Sequence, residues 1–357
     1  MAHDRRCEPL TTPRSEAPVD WLDPARFLRG TAWLDGDRPV RADPADLARL
    51  PWDIAERAAL PIGVRIEFTA VPGTRAVQVR YRATVPELTD PLAGLRHCFA
   101  LWHGTRLVGE TCAAPAAEAT VTLPLPPGGG VFSVHLPEGQ APVPLGLRAL
   151  GGELSPAPVL PRWLVHGDSI TEGWWATRPA RSWPATAGRL LGLDPVNLGY
   201  AGGARGELAL AEQLAGLPGR LITLAFGTNC WSRVPATAEW LYATVRAFVG
   251  LVRRGHPDTP LLVVSPVLRP EAEDRPNVLG ATLAGLRGAM ERAARDLAAE
   301  GDGHLLVLSG LPLLGPEHLV DGLHPDDRGH ARIAAAVAEV LRPYVPAGAA
   351  GAADGLS

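Results

Sequence analysis

Trp163-Leu164-Val165-His166-Gly167-Asp168-Ser169-Ile170-Thr171 is the stretch that decides the fold. A short, mostly apolar run enters a glycine, and the chain then turns polar. Such a run suits a strand buried on both faces of a parallel sheet. The residues after it read as a helix start. A serine at that junction is exposed at the sheet's edge. The helix start also offers backbone N–H groups to a developing oxyanion. The plainer reading is that Ser169, or Asp168 beside it, only caps the helix.

The same rhythm recurs downstream. Leu221-Ile222-Thr223-Leu224-Ala225-Phe226 enters Gly227, and Leu261-Leu262-Val263-Val264 and Leu305-Leu306-Val307-Leu308 are two further apolar runs. Helical patterns lie between them. From Pro235 to Arg254, Leu241, Val245, Phe248 and Val252 recur at helical spacing, and Gly255 ends the pattern. From Asn277 to Glu300 the stripe is Leu279, Leu283, Leu286, Met290 and Leu297. The last helix spans about Arg328 to Leu341, with Ile333, Val337 and Val340 inward and Pro343 as its stop. Strands alternating with helices predict an α/β domain with a doubly wound parallel sheet over residues 159–345.

Residues 21–158 read differently. Val64–Phe68 and Ala76–Tyr81 alternate apolar and polar residues, and Phe99–Trp102, Thr120–Leu123 and Val131–Leu136 continue the series. Pro and Gly punctuate between them. Regularly spaced short strands predict an all-β sandwich. The proline-dense segment Leu154–Pro161 reads as a linker, and residues 1–20 and 346–357 read as disordered ends.

Composition sets outer bounds. The chain has 357 residues, 46% of them hydrophobic and 20% charged, which is an ordinary globular balance. A net charge of -4 implies neither a nucleic-acid nor an acidic-membrane partner. Lysine is absent, consistent with GC-rich coding. The N-terminus lacks the apolar core of a secretory signal and no run approaches a membrane span, so the expected location is cytoplasmic. Cys7, Cys98, Cys112 and Cys230 form no C-x-x-C pair. Cys98 and Cys112 could face each other on neighbouring strands, but in a reducing compartment they are expected as small buried thiols.

Ligands of doubly wound domains bind where the strand C-terminal ends open into loops. Four segments fall there: Gly167-Asp168-Ser169-Ile170-Thr171, Asn197-Leu198-Gly199-Tyr200-Ala201-Gly202, Gly227-Thr228-Asn229 and Asp321-Gly322-Leu323-His324-Pro325. Together they supply a serine nucleophile, a backbone donor, an amide donor and an Asp/His pair. Those are the parts of an acyl-transfer site. His324 near Ser169 would act as general base, and Asp321 would fix its tautomer. Taken singly, each segment is also an ordinary cap or turn. Asp321, His324, Asp326, Asp327 and His330 form a ligand-like cluster, but their spacing matches no catalytic metal motif, and Asp326 and Asp327 fit better as helix caps.

The stretch around Ser169 is not G-x-S-x-G, so the nucleophile elbow of the α/β-hydrolases is not matched. In their order and context the four segments instead resemble the SGNH hydrolases, or GDSL-type esterases. The resemblance implies a flavodoxin-like SGNH domain with Ser169, Asp321 and His324 catalytic. It further implies an oxyanion hole of the Ser169 and Gly202 N–H groups and the Asn229 side chain. Gly203 and Cys230 depart from the family's usual Asp at each place. The domain order is also similar to that of two-domain SGNH proteins with an N-terminal jelly-roll-like sandwich, a group of carbohydrate acetyl esterases and natural-product acyltransferases. The implied function is a serine esterase acting on small acyl esters, acetylated sugars among the candidates, with no metal or organic cofactor. The alternatives are an acyltransferase to a metabolite hydroxyl and a non-catalytic carbohydrate-binding protein. Trp174, Trp175 and Trp231 follow Ser169 and Asn229 and are candidates to line the substrate pocket or to pack internally. His166 reads as structural, and His97, His103 and His135 have no catalytic partner in the sequence.

Overall fold

The structure is a computed structural model that describes residues 20–83 and 98–345. Residues 1–19, 346–357 and His97 lie outside the described residues. In the first half the chain forms β1 (Leu28–Arg29), β2 (Trp33–Asp35), β3 (Arg38–Val40), α1 (Trp52–Ala58), β4 (Arg65–Ala70), β5 (Ala76–Arg82), β6 (Cys98–His103), β7 (Arg106–Cys112), β8 (Ala119–Pro124), β9 (Gly130–His135), β10 (Val143–Leu150) and β11 (Leu154–Pro156). The second half forms β12 (Arg162–Gly167), α2 (Ser169–Glu172), α3 (Trp183–Leu191), β13 (Asp194–Gly199), α4 (Leu208–Gly216), β14 (Leu221–Ala225), α5 (Asn229–Ser232), α6 (Ala238–Gly255), β15 (Leu261–Val264), α7 (Leu283–Ala299), β16 (Leu305–Leu308) and α8 (Asp327–Leu341).

The second half is the expected α/β domain. Its five strands are all parallel, in the order β13-β12-β14-β15-β16. Side chains alternate between two helix-covered faces. Leu164, Ile222, Leu261 and Val263 join α4, α6 and α7 on one side. Trp163, Val165, Leu262 and Val264 join α3 and α8 on the other. Burial on both faces is why these strands read as unbroken apolar runs. The strand order reverses between β12 and β14, so the switch point falls beside the C-terminal end of β12. Ser169 follows that end directly. Gly167 makes the tight exit possible: a Cβ there would stand 2.1 Å from the Thr171 hydroxyl and 2.4 Å from the Ala225 carbonyl.

The first half is antiparallel. Among the described residues one sheet runs β1-β4-β9-β6-β7, with β11 also on β4, and a second runs β10-β5-β8. Ile66, Phe68, Val77, Val79, Phe132, Val134 and Leu147 fill the space between them. This is a β-sandwich preceding the α/β domain.

Four local expectations change. Leu154–Pro156 pairs with Ala70–Phe68, so the start of the proposed linker is a strand. The helix expected from Asn277 begins only after Thr282, whose side chain accepts from the Gly285 N–H. Asn277 instead accepts from the N–H groups of Leu279 and Ala281 and folds the segment into a turn, which leaves Leu279 half exposed. The stretch expected to be strands alone contains α1, whose Ile54 and Ala58 pack into the core of the parallel sheet. Cys98 and Cys112 oppose each other across β6 and β7 and are joined by a disulfide, with Cys112 exposed, so they are not buried thiols. Among the described residues Cys230 is the free cysteine; burial pushes its thiol up to about 12, which leaves it protonated near neutral pH.

Candidate active site

Three chain segments converge at the C-terminal edge of the parallel sheet. The first is α2, a single turn. Asp168 caps it by accepting from the Ile170 N–H at 3.0 Å, and Gly173, at φ 95°, ends it. Ser169 occupies its first position. The second is the loop before α8. Asp321 Oδ1 accepts from the backbone N–H groups of Leu323 at 3.0 Å and His324 at 2.8 Å, which folds the loop around the carboxylate. The third is the turn at Ala201–Gly203 after β13.

The loop fold aligns a hydrogen-bonded row. Ser169 Oγ lies 2.8 Å from His324 Nε2, and His324 Nδ1 lies 2.7 Å from Asp321 Oδ2. Burial would raise the Asp321 carboxyl, but hydrogen bonds from the His324 ring and from backbone N–H groups outweigh it and hold it below its usual range. An ionised carboxylate only accepts, so Nδ1 carries the proton and Nε2 is free to accept from the Ser169 hydroxyl. A serine so held can pass its proton to Nε2 as its oxygen attacks a carbonyl.

The Ser169 and Gly202 N–H groups make no hydrogen bond within the described residues. Ala201, between Tyr200 and Gly202, is held at φ 45°, in the left-handed region that residues with a Cβ rarely adopt. Asn229, at the start of α5, spends its side-chain N–H groups on this turn, donating to Ala201 O at 2.8 Å and Ala204 O at 3.1 Å. It therefore braces the turn that carries Gly202. Gly203 has a steric cause. A Cβ on it would meet Ile54 of α1 at 2.7 Å, so a packed side chain from the first half of the chain stands where an aspartate would go.

The tryptophans divide. Trp174 stacks on His324, with ring centroids 5.1 Å apart and planes 25° from parallel. Trp175 donates its indole N–H to Asp321 Oδ2 at 3.0 Å and sits at φ 63°, a second non-glycine residue in the left-handed region beside the row. Trp231 is buried under the Arg269 guanidinium, 4.6 Å from its ring centroid, and donates to Arg275 O. The ligand-like cluster comes apart. Asp326 caps α8, whereas Asp327 accepts from Thr177 and Arg181 and does not act as the cap. His330 donates to Trp174 O at 3.0 Å, and burial lowers its pKa to about 4. His166 is also buried, donates to Leu198 O and is lowered to about 4, as suits a structural histidine. His103 and His135 lie on sandwich strands.

One carboxylate network had no signal in the sequence. Glu172, at the end of α2, is buried and ion-paired with both Arg41 and Arg57 from the first half of the chain. Burial alone would raise its pKa, yet the two guanidinium charges more than offset that and hold it below the usual carboxylate range.

Asp168 behaves in the opposite sense. Burial is the dominant influence and lifts it from 3.8 to about 7, against hydrogen bonds from backbone N–H groups. A carboxyl whose folded pKa is raised favours the folded state at low pH, and that contribution is lost as pH rises from about 4 to about 7. Asp168→Asn keeps a competent cap and removes the titration. In urea unfolding, the stability of the wild type relative to the Asn variant should decline across this window. Parallel pH profiles for the two proteins would contradict the assignment.

Residues 165–332 match the GDSL-like lipase/acylhydrolase family. This region is a GDSL-like lipase/acylhydrolase domain. Similar solved structures extend over both halves of the chain. A salicylyl-acyltransferase from a tetracycline biosynthetic pathway is 26% identical with a TM-score of 0.76, over 89% of this chain and 96% of that one. A protein named as a GDSL-like lipase, from Bacteroides ovatus, is 20% identical with a TM-score of 0.74, over 91% and 97% of the two chains. A family two carbohydrate esterase from Clostridium thermocellum is 17% identical with a TM-score of 0.60, over 78% and 91%. At their low identities the last two are similar in fold alone. No curated protein gives a significant match to the chain. No helix of the described residues is long and apolar enough to cross a membrane.

Proposed function

We propose that the protein is a serine esterase acting on small acyl esters, such as acetyl esters of a sugar or metabolite. The observation that carries this reading is the row Ser169 Oγ, His324 Nε2, His324 Nδ1, Asp321 Oδ2, with links of 2.8 and 2.7 Å. Ser169 attacks the ester carbonyl while His324 takes its proton. The oxyanion is held by the N–H groups of Ser169 and Gly202. Asn229 is the third donor, exchanging one of its carbonyl contacts for the substrate oxygen. Collapse of the tetrahedral intermediate breaks the ester bond, and His324 returns the proton to the leaving alcohol. A water then repeats the sequence on the acyl-enzyme and frees the acid.

A second reading has its own support. A likeness over 89% of this chain, at 26% identity, is to a structure named as an acyltransferase. The acyl-enzyme is the same; a metabolite hydroxyl replaces water in the second step. Turnover of p-nitrophenyl esters graded from acetyl upward, with and without added sugar or phenolic alcohols, separates the readings. An esterase releases acid at a rate that the alcohols do not change, whereas a transferase forms a new ester and accelerates with the acceptor. Absence of both turnover and labelling of Ser169 by a fluorophosphonate would favour a binding protein and overturn both.

A further inference from the structure

We propose, on the basis of the esterase reading, that Trp174 is a positioning residue for the His324 imidazole, held in place through Glu172 by Arg41 and Arg57 from the first half of the chain.

The need for such a residue follows from the row itself. The χ2 torsion of histidine has a broad profile and does not fix the ring plane. The bonds at Nδ1 and Nε2 hold two edges of the ring, but they leave it able to rock about the axis that joins the two nitrogens. A flat surface against the face stops that rocking. Trp174 supplies one, its indole stacked on the imidazole at 5.1 Å.

Trp174 is in turn fixed at several points. Its backbone N–H donates to Ser169 O at 3.0 Å, and its carbonyl accepts from His330. Its indole N–H donates to Glu172 Oε2 at 2.8 Å. Glu172 cannot swing, because Arg41 binds Oε1 at 2.9 Å while Arg57 reaches both oxygens. Arg41 is anchored at 2.7 Å on Leu60 O and also donates to Gly199 O. The Arg57 guanidinium lies over the indole, 5.6 Å from its centroid. Both Glu172 oxygens, the Trp174 indole N–H and all three Arg41 nitrogens are engaged, and a satisfied buried ionic network of this kind rigidifies its surroundings. The first half of the chain thus reaches the serine–histidine pair through two arginines, Glu172 and Trp174.

The test separates this role from a wall of the substrate pocket. Steady-state kinetics with p-nitrophenyl acetate should show Trp174→Leu lowering kcat roughly 10- to 100-fold while KM stays within about twofold, because an ångström of misplacement costs about that much in rate. Trp174→Phe keeps a flat face on the imidazole and should recover most of kcat. Arg57→Gln should lower kcat in the same direction, and Arg57→Lys should recover part of it. The rate at which a fluorophosphonate labels Ser169 should follow the same ranking without requiring turnover. Equal losses in the Leu and Phe variants, or a loss confined to KM, would overturn the proposal. If the wild type releases p-nitrophenol but Trp174→Leu matches it, only the positioning role fails. If the wild type neither turns over nor is labelled, the esterase reading fails and this role fails with it.

Discussion

Ser169→Ala should lower kcat for p-nitrophenyl acetate by a factor on the order of 10⁶, since removing a serine nucleophile of this kind removes the acyl-enzyme route altogether. The expectation follows from how little else at the site could replace the hydroxyl. His324 Nε2 has Ser169 Oγ as its partner at 2.8 Å, and the adjacent Asp168 is turned to its own capping role. Residual turnover should come only from substrate binding and the oxyanion donors, the N–H groups at positions 169 and 202 and the Asn229 amide, which the substitution leaves in place. Folding is not at stake. The change deletes one oxygen in a one-turn helix capped by a different residue. A thermal midpoint near that of the wild type, together with loss of fluorophosphonate labelling, completes the expected result. Near-normal turnover in Ser169→Ala would mean that another group is the nucleophile.

Asp321→Asn should cost roughly 10⁴ in kcat, through the tautomer of His324. The carboxylate works with both oxygens. Oδ1 accepts from two backbone N–H groups, and an Asn carbonyl oxygen keeps that position. Its NH₂ group then falls where Oδ2 was, facing His324 Nδ1 and the Trp175 indole N–H, which are both donors here. The imidazole escapes the clash by moving its proton to Nε2, and that nitrogen can no longer accept from Ser169. The loop should remain folded, so KM and the thermal midpoint change little while kcat collapses. A loss of less than about tenfold would show that Asp321 does not set the tautomer, given what that role is ordinarily worth.

The site was legible in the sequence where it depended on strand ends. Each apolar run entering a glycine announced a buried parallel strand, and ligand-facing residues of such sheets lie just beyond. Ser169 and Asn229 lie just past such runs and Asp321 and His324 on the loop entering the last helix, whereas the strand before Gly202, Asp194–Gly199, is not one of those apolar runs. The Asp321–His324 spacing was readable because three residues suffice to close the loop on its own carboxylate. The direction of the Asn229 amide was not, because its acceptors are carbonyls of another turn. Nor was the change at Gly203, which answers to Ile54 on a helix some 150 residues earlier.

Local pattern misled where tertiary contacts compete with propensity. The stripe through Leu279 fitted a helix, yet the Asn277 side chain captures the N–H groups that the helix would have used. The sequence allowed Cys98 and Cys112 to face each other on neighbouring strands, and only the pairing of β6 with β7 decides that they do.

By itself, then, the sequence determined the parallel sheet, the identity of its switch-point serine and the Asp/His pair. Periodicity and short-range turn chemistry are local properties, and a chain displays them whatever it later packs against. Tertiary structure alone decided what surrounds that pair. Arg41 and Glu172 stand 131 residues apart, and a buried ion pair over that distance leaves no periodic trace. Their meeting, and with it the placement of Trp174 on His324, depends on how the first half of the chain packs against the parallel sheet.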